Sequence, residues 1–159
     1  MHRETRRKDR IITAEEARAV LEKAEYGFLG TVSPENEPYV VPLSYVAGRD
    51  NIYFHCATVG EKLDNIAANP AACFCVVGTT EPVYESSFST YYESCMVFGT
   101  VREITDDAEK RQALRDIAHK YFSELTDKVD GAIADSWNRT AVYAISIDRI
   151  TGKAKRKKA

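Results

Sequence analysis

Long apolar runs are missing from this sequence, and with them any segment approaching the roughly 20 residues that a membrane-spanning helix needs. The longer ones, such as Tyr39 to Leu43 and Ala71 to Val77, are of strand length. The opening Met1 to Arg10 is charged and has no apolar core of a secretory signal, so a cytoplasmic protein with no membrane contact is expected. Cysteine is sparse. Cys56, Cys73, Cys75 and Cys95 form no CxxC pair and stand among apolar or aromatic neighbours, which suits buried thiols in a reducing compartment better than metal ligands or a redox pair. The familiar catalytic signatures are lacking as well. Without GxGxxG, a P-loop, GxSxG or HExxH, a Rossmann nucleotide site, a P-loop phosphotransferase and a zincin are poorly supported.

What is present is an ordinary globular composition. The chain has 159 residues, 44% apolar and 29% charged, enough for one domain with a real core and no structural metal. The net charge is only -2, but it is unevenly placed. Arg3, Arg6, Arg7, Lys8 and Arg10 open the chain, and Lys153, Lys155, Arg156, Lys157 and Lys158 close it. These stretches lack interleaved aromatics and flank an acidic body, so residues 1–10 and 151–159 are read as solvated basic arms, with no nucleic-acid partner.

Thr13 and Glu16 have the spacing of a capping box, in which each side chain satisfies an orphan amide at a helix start. Ala17, Val20, Leu21 and Ala24 then recur at helical period. From Gly27 the pattern becomes that of strands. Gly27 to Val32, Tyr39 to Ala47 and Ile52 to Ala57 are β-branched and aromatic, separated by turn compositions. Pro42 removes a ladder donor, so its strand must carry an edge or a bulge there. Thr58 to Asn69 reads as a short helix with Leu63, Ile66 and Ala67 on one face, followed by a strand from Ala71 to Val77. Gly78 to Thr90 reads as a long loop, Tyr91 to Ile104 as a strand. Asp106 and Glu109 suggest a second capping box, opening a long helix with Leu114, Ile117, Ala118 and Tyr121 on one face. A short helical turn at Ala132 to Trp137 and a last strand from Thr140 to Ile150 complete the chain. Hairpin-linked strands without regular βαβ alternation predict an α+β, mainly β fold, its six antiparallel strands closed into a small barrel with flanking helices.

Chemistry is most plausible in Tyr53 to Lys62. A strand there runs through Gly60 into a helix with Lys62 in its first turn. Free amides and the helix dipole favour an anion at such a point, a lysine adds charge, and a glycine lets backbone approach closely. A glycine and a lysine so placed also occur as solvated structure, and a lone strand histidine such as His55 is often only a polar-face residue.

Three stretches together resemble the Nim family of 5-nitroimidazole resistance proteins, a branch of the pyridoxamine 5′-phosphate oxidase-like split-barrel flavoproteins. They are Arg6-Arg7-Lys8-Asp9-Arg10; Pro38 to Tyr45 with Ile52 to His55 and Gly60 to Asp64; and Thr90 to Ser94 through Val97-Phe98-Gly99. The similarity covers nearly the whole chain. It implies an FMN-binding split β-barrel in which a homodimer holds FMN at its interface. Pro42, Leu43, Ser44 and Tyr45 would offer backbone to the flavin ring, His55, Cys56 and Ala57 would pass beside it, and Gly60 and Lys62 would hold the phosphate, with Leu63 also among the cofactor-binding residues. Tyr92, Ser94, Cys95, Met96 and Trp137 would cover the ring from the partner subunit. His55 matches the histidine given an active-site role in Nim proteins. The implied activity is reduction of small nitroaromatic substrates by reduced flavin, with flavin storage or sensing, a pyridoxamine 5′-phosphate oxidase-related activity, and haem binding through His55 as alternatives. A true pyridoxamine phosphate oxidase would resemble the family's Arg-Leu-x-Pro ending, where this chain is lysine-rich.

Overall fold

The structure, a computed structural model, describes residues 5–84 and 86–157. Arg3 and Lys158 of the basic arms lie outside them. Nine strands and four α-helices occur among the described residues: β1 (Ile11–Ile12), α1 (Ala14–Lys23), β2 (Gly27–Val32), β3 (Pro38–Leu43), β4 (Val46–Ala47), β5 (Asn51–Cys56), α2 (Glu61–Ala68), β6 (Ala71–Tyr84), β7 (Phe88–Glu103), α3 (Asp107–Tyr121), α4 (Thr126–Ser136), β8 (Ala141–Ser146) and β9 (Arg149–Lys155). Every pairing is antiparallel, along the path β3-β2-β6-β7-β8-β5-β4, with β9 joining β7 to β1.

β7 organises this sheet by changing partners along its length. Tyr92 to Phe98 pair with β9, and Val101 to Glu103 pair with β8. The exchange happens at Gly99, where the β8–β9 connection crosses so closely that a Cβ would sit 1.8 Å from the Ser146 carbonyl oxygen. Ser146 seals the crossing by accepting the Thr100 amide on its hydroxyl at 2.8 Å. The path does not close. Its two end strands, β3 and β4, are nevertheless consecutive in the chain and joined only by Ser44 and Tyr45, so the sheet curls until its ends meet at one corner and remain split beyond it.

α1 supplies Ala17, Val20, Leu21 and Ala24 to the main core, with Leu29, Phe54, Phe74, Val76 and Val97 from the strands. Its capping box forms in both directions, the Thr13 hydroxyl accepting the Glu16 amide while the Glu16 carboxylate accepts that of Thr13. A second core lies on the other side of β8 and β5, where Ile104, Ala113, Leu114, Val129, Ile133, Val142 and Ala144 pack together. Every residue from Ala141 to Ile145 is therefore buried, because both faces of β8 are covered.

Several elements depart from the sequence reading for identifiable reasons. The six-stranded closed barrel is an unclosed, nine-stranded sheet because two predicted strands each divide and the short β1, not expected from the sequence, adds a ninth. Tyr39 to Ala47 breaks at Ser44 and Tyr45, and Thr140 to Ile150 becomes β8 and part of β9 around Ile147 and Asp148. Gly78 to Thr90 is a continuation of the β6–β7 hairpin. Its register shifts between Val77 and Thr80, an irregularity that hides strand periodicity, and Pro82 lies in the part of β6 beyond its pairing with β2. Pro42 sits on the edge strand β3 without a bulge. The predicted turn at Ala132 is the end of α4, which starts at Thr126. In α2 the buried partner of Ile66 is Asn65, whose side chain donates to the Thr31 hydroxyl at 3.2 Å, while Ala67 is exposed. Only half of the second capping box forms, since Glu109 instead pairs with Arg102 at 2.6 Å. The closing basic stretch is no loose arm through Lys155: it is β9, and Arg156 then bridges Glu16 and Glu93 at 2.5 and 2.9 Å. Arg7 is likewise engaged by Asp9.

Candidate functional site

The split between β3 and β5 is where sequence position and geometry converge. The β4–β5 ladder ends at Val46 opposite Tyr53. Continued in register, it would set Tyr45 against Phe54, Ser44 against His55 and Leu43 against Cys56; the strands diverge there, leaving a wedge with a free edge on each side. Unpaired edge amides and carbonyls are strong, unsatisfied groups, suited to a planar ligand with donors and acceptors on its rim.

Three side chains hold the fork of the wedge. Tyr45 is 0% exposed, its ring packed edge-on against Phe74 at 4.9 Å and its hydroxyl donating to the Leu21 carbonyl. Its amide donates to the Tyr121 hydroxyl at 3.0 Å, and Tyr121 in turn donates to the Glu25 carbonyl. Lys120 lies 3.7 Å from the centre of the Tyr45 ring and donates to the Ala24 carbonyl at 2.8 Å. Burial brings the Lys120 ammonium down to about 8 and pushes the Tyr45 phenol far up. α3 thus pins the β3–β4 corner to the end of α1. Neither Lys120 nor the hydroxyl of Tyr121 was legible as a site element, because only the fold brings them to Tyr45.

From Cys56 the chain passes through Ala57 to Gly60 and into α2. Gly60 has φ 141°, a value disfavoured for side-chain-bearing residues, and a Cβ there would meet nothing within 4 Å, so backbone conformation and not space calls for glycine. The amides of Leu63 and Asp64 turn back to the Gly60 carbonyl at 2.8 and 3.3 Å. Those of Glu61 and Lys62 precede this first internal bond and point out of the helix start. Lys62 stands close enough to Cys56 for its charge to oppose the rise that burial imposes on that thiol. Cys56, Lys62 and the α2 start therefore belong to one locality. A larger hollow of about 720 Å³ beside α1 is a weaker candidate for an anion, since its Arg156 already holds Glu16 and Glu93.

Strand alternation sends Ile52 and Phe54 into the main core and turns Tyr53 and His55 the other way, beneath α3 and α4. His55, itself exposed, opens onto a hollow of about 470 Å³, and partial desolvation beside its apolar wall lowers the ring's pKa. Tyr53 donates to Glu109 at 3.2 Å.

The remaining predicted positions fall elsewhere on the protomer. Tyr92, Ser94 and Met96 alternate outward along β7, Met96 being exposed. Cys95 points inward, 1% exposed, and its backbone is paired on both edges, with Val76 and Gly152, so it is a core thiol and has nothing to offer a ligand. Trp137 packs against the second core, with Lys110 4.2 Å from its ring centre. Leu63 is half-buried against the main core. Cys73 and Cys75 lie half-buried on the outward face of β6.

An antiparallel split barrel with an edge wedge, and with a glycine-led helix start carrying Lys62 at its mouth, defines the class of protein. The chain belongs to the pyridoxamine 5′-phosphate oxidase family, whose sequence pattern matches residues 13–154. A candidate 5-nitroimidazole antibiotic resistance protein from Bacteroides thetaiotaomicron has a similar structure, with 28% identity, a TM-score of 0.75, and 90% of this chain and 85% of that one covered. A FAD-binding protein from Mesorhizobium loti is 26% identical, with a TM-score of 0.65 and 92% and 98% covered. The flavocytochrome Anf3 from Azotobacter vinelandii shares the fold, with a TM-score of 0.85 at 21% identity over 97% of this chain and 73% of that one. No curated protein matches the chain significantly. No helix among the described residues is long and apolar enough to cross a membrane.

Proposed function

We propose that this protein binds FMN as a homodimer, with the flavin at the subunit interface, and reduces small nitroaromatic compounds of the 5-nitroimidazole kind. The observation that carries the reading is the juxtaposition of the open β3–β5 wedge with the start of α2. The wedge offers unpaired backbone to a flavin rim, and Lys62 with the outward amides of Glu61 and Lys62 suits a phosphate. The donor set fits: edge amides and carbonyls for the ring, cation and amides for the dianion, and a glycine allowing close approach. Flavin, when bound, supplies the electron-transfer chemistry.

The chain's own residues bind and orient. Pro42 to Tyr45 and His55 to Ala57 flank the ring, with Tyr45 closing the fork and offering it no free group, because its side chain is buried and its amide and carbonyl are held by Tyr121. Tyr92, Ser94 and Met96 of the partner subunit cover it, the outward face of β7 being free to do so. His55, whose partial desolvation favours the neutral ring, donates a hydrogen bond through its remaining N–H to a nitro oxygen as negative charge grows there. Four free thiols among the described residues suit a cytoplasmic location.

The test is the visible spectrum of purified protein, followed by FMN titration and turnover of a 5-nitroimidazole with a reductant. A flavin band and consumption of the nitro compound are expected. A colourless protein that takes up no FMN refutes the proposal, and a Soret band assigns the site to haem instead. Flavin bound without turnover leaves a storage or sensor protein.

A further inference from the structure

We propose that the hollow above His55, walled by α3 and α4, is a binding site for a small, flat, apolar compound that is neutral or anionic, and that it is the substrate pocket of this protein. The second clause rests on the flavin reading; the first does not.

The hollow measures about 470 Å³, within the range of roughly 300–1,000 Å³ typical of small-molecule sites. Leu114, Ile117 and Ala118 of α3 face Val129, Ala132 and Ile133 of α4 across it, and His55 lies between them on the strand side. Phe122 and Leu125, in the α3–α4 connection, line its rim while 60% and 43% exposed, large apolar surfaces that an occupant would shield. The polar lining is uniform in kind. His55, Lys128, Ser136 and Thr140 contribute to it, and the Ser136 hydroxyl already donates to the Ala132 carbonyl at 2.8 Å.

The decisive feature is charge. Among the described residues no carboxylate lines the hollow, and the titratable groups that do are His55 and Lys128. A cationic ligand would lose hydration without gaining a counter-charge, whereas a nitro group or a carboxylate finds a hydrogen-bond donor in His55 and a cation in Lys128. Apolar walls on both sides admit a ring of one or two cycles. His55 belongs at once to this hollow and to the wedge, so a compound seated here lies next to the place proposed for the flavin.

The test is calorimetric titration of the full chain, with and without FMN, using 4-nitrobenzoate and benzylammonium, which share a ring and differ in charge. The expected result is one nitrobenzoate per chain and a benzylammonium affinity lower by about tenfold or more. Ala132→Trp, at an exposed position on the wall, fills the hollow without entering the core. It should weaken nitrobenzoate by about tenfold or more while FMN uptake stays unchanged. Lys128→Glu should narrow or reverse the preference between the two probes. Equal affinity for both, absence of binding, or binding indifferent to Ala132→Trp in a variant with native circular dichroism overturns the proposal. So does concentration-dependent dimerisation that Ala132→Trp abolishes, which would make the hollow a contact between copies. If nitrobenzoate binds as described and FMN does not, the pocket stands and the flavin reading falls. If FMN binds and neither probe does, the outcome is reversed.

Discussion

Replacing Tyr121 by Phe isolates the hydroxyl that holds the fork of the site. The ring is conserved, so no cavity forms, and the change removes a single oxygen that accepts from the Tyr45 amide at 3.0 Å and donates to the Glu25 carbonyl. Glu25 is exposed, and water can replace the lost donor there. Tyr45 is 0% exposed, so its amide is left without a partner at a cost of about 1–3 kcal/mol. With a melting temperature that moves about 2–4 °C per kcal/mol for a domain of this size, a loss near 2 kcal/mol lowers Tm by roughly 4–8 °C. Urea unfolding should show a lower midpoint at unchanged slope, since the exposed surface is the same. The fork also sets the angle at which β3 leaves β4, so FMN should bind more weakly to the folded variant. A destabilisation below about 0.5 kcal/mol, the scatter of ordinary surface substitutions, refutes the role of the hydroxyl. An unchanged FMN affinity alongside the expected stability loss would separate the fork from the cofactor site.

Gly99→Ala places a methyl 1.8 Å from the Ser146 carbonyl oxygen, where the two nearest atoms are backbone, and should leave little folded protein by circular dichroism and soluble yield. Lys62→Ala removes a half-buried surface cation with no packing role and should weaken FMN by about tenfold or more at unchanged apo stability, read by flavin fluorescence. Gly60→Ala forces an alanine to φ 141° and should cost about 1–3 kcal/mol in urea unfolding while also weakening FMN. The folded His55 titrates below its ordinary 6.5, so the unfolded chain binds the proton first as pH falls. Its contribution to stability is complete above about pH 6.5 and declines as pH drops through the folded pKa; His55→Gln should flatten that part of the stability profile, and an NMR titration midpoint at or above 6.5 would contradict it.

Local features of this protein were written locally. The capping box of Thr13 and Glu16, the apolar stripe of α1, the edge position implied by Pro42 and the facing of His55 opposite Phe54 all depend on residues within one turn or one strand, where steric preference and period suffice. The placement of Gly60 and Lys62 at a helix start was legible for the same reason, since the end of one strand and the start of the next helix are contiguous in sequence. Cys95 could not be separated from Met96 by composition, because facing in β7 is set by its partners on both edges.

Pairing and burial over long range belonged to the tertiary structure alone. The partner exchange of β7 at Gly99 and the clamp of Lys120 and Tyr121 on the β3–β4 corner join residues tens of positions apart. The hollow over His55 has the same origin: its walls are two helices, α4 having an irregular polar surface that concealed most of its length. Sequence periodicity says which way a side chain points relative to its own element. What it points at depends on how the sheet curls, and that is decided by contacts which exist only once the chain has folded.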